Sequence, residues 1–307
     1  MSTSLRLTNP FAQFLGALLL VGLPTVAWSQ RIPCDLVPTN GAPLTVRCRT
    51  TGHVLIFVST GDVTMGGDQG DEDEKPIHTA TVSGFFLGKY PVSNLEYEAA
   101  GGARGRPGYS QGDDHPATRL SWNDANGFIQ WIGAQEARVG DFYVLPTEAM
   151  WERAAQGGLN APKYPWGASL DPSYTLYSSA SAVKVADGTP NPWGFFHMTG
   201  SVFGWCSDWY DKEYYKSAPA QDPGGPAEGK QRSLRGGTWY IYDKSLRCAD
   251  RWQTGPDTRS QYVGVRVARQ YKDPCTVDGI NCGCGSDCRC TQKCHVRMAV
   301  PPPPPPP

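Results

Sequence analysis

Hydrophobic positions keep a helical spacing most clearly at Ala125, Phe128, Ile129 and Ile132, which stand at 0, 3, 4 and 7. One apolar stripe of that kind must face a core. Ser121 and Asp124, just ahead of it, supply the polar start of the helix. Ser93-Asn94-Leu95-Glu96 fits a capping box and predicts a second, short helix, stopped by Gly101 and Gly102 before a polar loop that runs to Asp114. A third helix is expected from Thr147, with Trp151, Ala154 and Ala155 facing inward. Elsewhere the pattern favours strands. HVLIFVSTGDVTMGG (53 to 67) reads as strand, turn and strand, and GFFLGKY (84 to 90) as another. Arg235–Trp239 and Val263–Val267 read as core strands, the latter closing the domain.

From Asn191 to Trp239 neither period holds. Trp193, Trp205, Trp209 and Trp239 lie there among Gly194, Gly200, Gly204, Gly236 and Gly237. Glycines admit positive φ and close backbone approach, and tryptophans bring large buried area. The combination predicts tightly packed irregular loops, and the chain as a whole an α+β domain. The acidic run Asp71, Glu72, Asp73 and Glu74 reads as a solvated loop; a calcium site is the functional alternative, although the spacing is not that of an EF-hand.

Composition narrows the function. Of 307 residues 39% are apolar and 11% aromatic, enough to fill a core, and a formal charge of −1 provides no basic stripe for nucleic acid and no membrane-binding surface. Residues 1–29 read as a secretory signal, with Arg6 in the n-region, LGALLLVGL (15 to 23) as the h-region and Ala27-Trp28-Ser29 before the cut. The mature chain would be secreted or periplasmic, with no membrane attachment after cleavage. Ten cysteines then point to disulfides. In an N-terminal extension, 30–51, Cys34 is expected to pair with Cys48. Cys206 and Cys248 are expected as one structural disulfide, with a redox or metal-binding pair as the alternative. Six more cysteines fill a tail at 272–296, where Cys282, Cys284, Cys288 and Cys290 form two C-x-C pairs. These could chelate Cu(I) or zinc, or the six could form three disulfides. Residues 297–307 end in seven prolines, which favour polyproline II.

Several strings resemble one family: LPTEAMWERAAQGG (145 to 158), KYPWG (163 to 167), PNPWGFFHMTGSVFGWCSDWY (190 to 210), RGGTW (235 to 239), RCADR (247 to 251) and VGVRVAR (263 to 269). In that order they are similar to the sulfatase-modifying-factor, or formylglycine-generating-enzyme-like, domain, here spanning 52–271. The resemblance implies a C-type-lectin-like fold with little regular structure. It also implies a copper site of two cysteines that turns a substrate cysteine into formylglycine. Thr238 stands where the family has serine and Arg251 keeps the arginine of its motif, but Ile241 occupies the place of the first cysteine. No cysteine occurs between Thr238 and Arg247. The family's copper site is therefore absent from the sequence, and no other cofactor is identified. Its calcium sites are eroded too: Ser201 and Gly204 stand where the family supplies an amide and a carboxylate. Relative to the family, Met150 also removes the reciprocal arm of the third helix cap.

The expectation is an exported binding, immunity or maturation factor with a protein or peptide partner. The alternatives are an oxidoreductase of altered, siderophore-maturation-type chemistry and, behind it, formylglycine generation on sulfatases. The candidate pocket comprises Thr238, Tyr240, Tyr242, Arg251 and Trp209; Cys206 and Cys248 are candidate metal ligands. His115 and His197 are expected to be structural.

Overall fold

A computed structural model describes residues 44–102, 106–136, 142–174, 177–240 and 243–270, with the backbone of two short strands at 276–277 and 280–281. Cys34 and the six tail cysteines, including Cys282, Cys284, Cys288 and Cys290, lie outside the described residues.

The strands are β1 (Thr45–Arg47), β2 (Val54–Val58), β3 (Gly61–Met65), β4 (His78–Val82), β5 (Phe85–Gly88), β6 (Phe142–Val144), β7 (Phe203–Trp209), β8 (Arg232–Arg235), β9 (Arg251–Thr254), β10 (Val263–Gly264) and β11 (Ala268–Gln270). The helices are α1 (Asn94–Ala99), α2 (Trp122–Glu136) and α3 (Glu148–Gln156). An antiparallel sheet in the order β1-β2-β5-β11-β6 joins the two ends of the domain, because β11 pairs with both β5 and β6. A second sheet runs β10-β7-β8-β9, and β3 and β4 form a separate hairpin. Since β1 belongs to the first sheet, the domain starts before residue 52.

The first sheet is covered on both faces. Leu55 and Phe86 join Phe128, Ile129 and Ile132 of α2 in one cluster, while Ile56, Val58, Phe85 and Leu87 join Trp151, Ala154 and Ala155 of α3 in another. Alternate residues of a strand point to opposite faces, which is why β2 (VLIFV) and β5 (FFLG) carry unbroken apolar runs.

All three helix starts form as the sequence predicts. Ser93 accepts from the Glu96 amide at 3.3 Å and the Glu96 carboxylate returns to the Ser93 amide at 2.9 Å. Ser121 and Asp124 exchange the same two bonds at 3.1 and 2.8 Å. At α3 only the Thr147 arm is made, to the Met150 amide at 3.1 Å; the buried Glu148 and Glu152 of this helix are used for long-range ion pairs instead.

Three expectations change. The strand expected at Arg235–Trp239 lies earlier, because Gly236 (φ +97°) and Gly237 (φ +66°) turn the chain out of β8. The run Val263–Val267 is divided between β10 and β11, which serve different sheets. The acidic segment 71–74 is not a fully solvated loop: Glu74 is buried and held by Arg247 at 2.5 and 2.7 Å, and Glu72–Glu74 forms a short 3-10 turn. A buried carboxylate is tolerable only with such a partner.

Candidate functional site

The glycine pair after β8 sets the site. Gly236 lies so close to the Met198 carbonyl oxygen that a Cβ would meet it at 2.6 Å, and it returns a bond from the Gly200 amide to its own carbonyl at 2.6 Å. Only a residue without a side chain fits there. The next two residues are thereby laid against the 199–202 loop: Thr238 donates its hydroxyl to the Ser201 carbonyl at 3.2 Å, and the Trp239 amide donates to the same carbonyl at 2.8 Å.

Trp239 is buried and forms the floor of an aromatic platform. Tyr262 packs on it at 5.2 Å and Tyr109 at 5.7 Å between ring centroids, with Tyr240 edge-on at 5.8 Å. Tyr240 in turn stacks on Tyr262 at 5.3 Å and is 59% exposed. The Trp239 Nε1 and Ser201 Oγ atoms are buried without a hydrogen-bond partner at its base. Ile241 and Tyr242 lie outside the described residues.

The other two sequence candidates are committed elsewhere. Arg251 is buried and donates to Glu148 from Nε at 2.9 Å and Nη2 at 3.0 Å, and to the Asp73 carbonyl at 2.6 Å. Trp209 covers the Arg232 guanidinium at 3.4 Å while Trp122 covers its other side at 3.9 Å. Thr238 and Tyr240 therefore share a site, and Arg251 and Trp209 make their contacts with other partners. Tyr109 and Tyr262 were not singled out from the sequence; separated by more than 150 positions, they carry no local signal of meeting.

Around Arg251 lies a buried charged network. Burial drives the Glu148 carboxyl upward, but the neighbouring Arg251 and Arg235 outweigh it and hold Glu148 down at about 2. Arg235 also pairs with Glu152 and donates to the Asp250 carbonyl. Asp208, next to Glu148, is only partly offset by Arg251: burial, then the Glu148 charge, pushes it up to about 8. Asp250 is raised to about 7, mainly by burial. His197 is held down at about 4 by burial and by Arg266, so it is neutral at physiological pH, consistent with a structural residue.

The cysteines depart from expectation. Cys206 and Cys248 are both buried free thiols, and no disulfide joins them. Cys206 sits within β7 beside the charged network of Glu148, Arg235 and Arg251, whereas Cys248 packs in the cluster around α3. Burial pushes both thiols well above their ordinary range. Cys48 is likewise a buried free thiol, 3.7 Å from the Tyr143 hydroxyl and raised to about 11 by burial. A copper centre needs exposed or activated thiolates, and these residues do not fit one. Calcium fits no better at Ser201 and Gly204, since a Cβ at 204 would meet the Trp151 ring at 2.3 Å. Asp71, Glu74 and Asp250 bring carboxylate oxygens within 4.8 Å of one another, but Arg247 and Lys244 already neutralise them.

A five-stranded sheet with a helix on each face, a second sheet of four strands and long ordered loops that carry the site define a C-type-lectin-like protein of the formylglycine-generating-enzyme type. The structure of PvdO from Pseudomonas aeruginosa superposes with a TM-score of 0.66, covering 75% of this chain and 99% of that one at 24% identity. Residues 42–271 match the sulfatase-modifying factor enzyme 1-like domain, and the chain belongs to that family. A formylglycine-generating enzyme of Streptomyces coelicolor is 36% identical over 174 residues, 50% of this chain and 52% of that protein. Serine/threonine-protein kinase pkn1 of Chlamydia pneumoniae is 32% identical over 244 residues, 70% of this chain. This chain spans 38% of the length of that relative. Among the described residues no helix is long and apolar enough to cross a membrane.

Proposed function

We propose that this chain is an exported member of the family that binds a protein or peptide partner, as a maturation, assembly or immunity factor, and does not generate formylglycine. The observation that carries this reading is the platform of Trp239, Tyr240, Tyr262 and Tyr109 beside Thr238. An exposed tyrosine, Tyr240, and two part-buried ones over a buried tryptophan offer large, stiff contact area with polar tips, the composition of binding hot spots. Loss of catalysis is supported by the absence of cysteine between Thr238 and Arg247 and by the burial of Cys206 and Cys248. Export rests on the signal-like residues 1–29, and the near-zero formal net charge argues against nucleic acid.

The test has two arms. The full-length mature protein, supplied with copper, oxygen and a cysteine-bearing sulfatase-type peptide, should form no aldehyde by mass spectrometry; formation of aldehyde overturns the non-catalytic reading. Peptides selected from a displayed library against the same protein should bind at least about tenfold more weakly to Tyr240→Ala, a loss of about 1.4 kcal/mol. Selected peptides that bind Tyr240→Ala and Tyr262→Ala as tightly as the parent would overturn the placement of the binding site.

A further inference from the structure

A second surface, separate from the aromatic platform, lies at the end of the second sheet. Strand β9 pairs with β8 on one side and, among the described residues, with no strand on the other. A cleft of about 320 Å³ runs beside it, lined by Arg251, Trp252 and Gln253 and, opposite, by residues 71–73 and Glu213. Successive strand residues point to opposite faces. Three in a row lining one cleft fit a cleft that follows the edge of the strand.

The chemistry of this cleft is specific. Trp252 is 47% exposed and is kept in place by stacking on Phe203 at 5.9 Å. Asp71, Glu72, Asp73 and Glu213 face it against the cations Lys212 and Arg251, and Arg251 is already matched by the buried Glu148. The Asp73 Oδ1 atom is buried without a donor, while its Oδ2 accepts from the Tyr210 hydroxyl at 2.6 Å. The lysines that meet this rim, Lys244 at Asp71, Lys75 at Glu72, and Lys216 and Lys212 at Glu213, form exposed pairs that an incoming cation can replace at little cost.

We propose that the free edge of β9 binds an extended, arginine- or lysine-bearing peptide segment of a partner protein. The edge supplies unpaired main-chain donors and acceptors, as in strand addition. The Trp252 indole receives a cationic side chain on its face. The exposed carboxylates of the opposite wall, Asp71, Glu72 and Glu213, take its hydrogen bonds. A small cation could use only the last two features. An extended chain uses all three.

The experiment uses the full-length mature protein and a dye-labelled, blocked peptide of alternating arginine and valine, followed by fluorescence anisotropy. Saturable binding that weakens with salt is expected. Trp252→Ala, and separately the double variant Asp71→Asn/Glu213→Gln, should each weaken it about tenfold or more. The same peptide methylated on alternate backbone amides keeps its charge and should lose binding, because it cannot join the edge. Tyr240→Ala should leave this binding unchanged, which distinguishes the cleft from the aromatic platform. If Trp252→Ala does not fold, Glu213→Lys, on a half-exposed side chain, takes its place. Absence of saturable binding, equal affinity in the cleft variants, equal affinity of the methylated and unmethylated peptides, or competition by free arginine at the same concentration as the peptide would each overturn the proposal.

Discussion

Glu148→Gln is the most informative single change to the buried network. Glu148 accepts two bonds from Arg251, at 2.9 and 3.0 Å, and one from the Ser233 hydroxyl at 2.6 Å, with Arg235 Nε 3.6 Å away. Both guanidiniums are almost fully buried, so neither can recover its partner from water. The amide keeps the shape but removes the charge and can turn an N–H toward Arg251. Breaking a buried pair by one partner costs about 3–5 kcal/mol, far more than the pair contributes relative to an apolar replacement. For a domain the size of residues 42–271, about 4 kcal/mol lowers Tm by about 8–16 °C. Urea unfolding followed by circular dichroism measures the loss directly. Arg251→Met added to Glu148→Gln should restore part of it, with a coupling above about 1.5 kcal/mol in a double-mutant cycle. The sign with pH is also defined. Because Glu148 is held at about 2, against an ordinary value of 4.5, its contribution is present above pH 4.5 and is lost as pH falls toward 2. The variant should therefore show a shallower acid limb. A loss below about 1 kcal/mol, or no coupling with Arg251, would refute the claim that this network depends on mutual neutralisation in a dry site.

Asp208 predicts the opposite limb: raised to about 8, it favours the fold below its ordinary value of 3.8 and withdraws that support as pH rises to about 8. Asp208→Asn, which can still accept from the Glu148 amide, should flatten the decline between pH 5 and 9 in urea titrations and raise stability at pH 9 by about 1 kcal/mol or more. Gly236→Ala should cost well over about 2 kcal/mol or prevent soluble expression, since its Cβ would strike the Met198 carbonyl at a positive φ; chemical unfolding or expression yield reports it. Alkylation under native conditions, mapped by mass spectrometry, should spare Cys206 and Cys248 until the protein unfolds, and rapid labelling of either would show that its burial is incomplete. Ser93→Ala should lose about 1 kcal/mol through the α1 cap, measured by urea unfolding.

What the sequence determined by itself was local. The caps at Ser93, Ser121 and Thr147 and the stripe of α2 involve residues three or four positions apart, so spacing alone locates the helices. The ordered motifs from LPTEAMWERAAQGG to VGVRVAR indicated the family because each loop's shape depends on its own glycines and aromatics. The missing cysteine beside Thr238 was equally legible, being a matter of residue type. Pairings made across the chain were not. That β11 joins β5 and β6, that Glu148 meets Arg251 over 103 positions and that Glu74 meets Arg247 over 173 follow from which charges and strands the fold desolvates together. The same holds for Cys206 and Cys248, which export suggested as a disulfide. Tertiary packing buried both as free thiols, and a bond can form only where the chain brings two sulfurs within reach. Tyr109, Trp239 and Tyr262 likewise become a platform only in the folded domain, because burying aromatic surface is rewarded wherever the backbone can meet, irrespective of distance along the sequence.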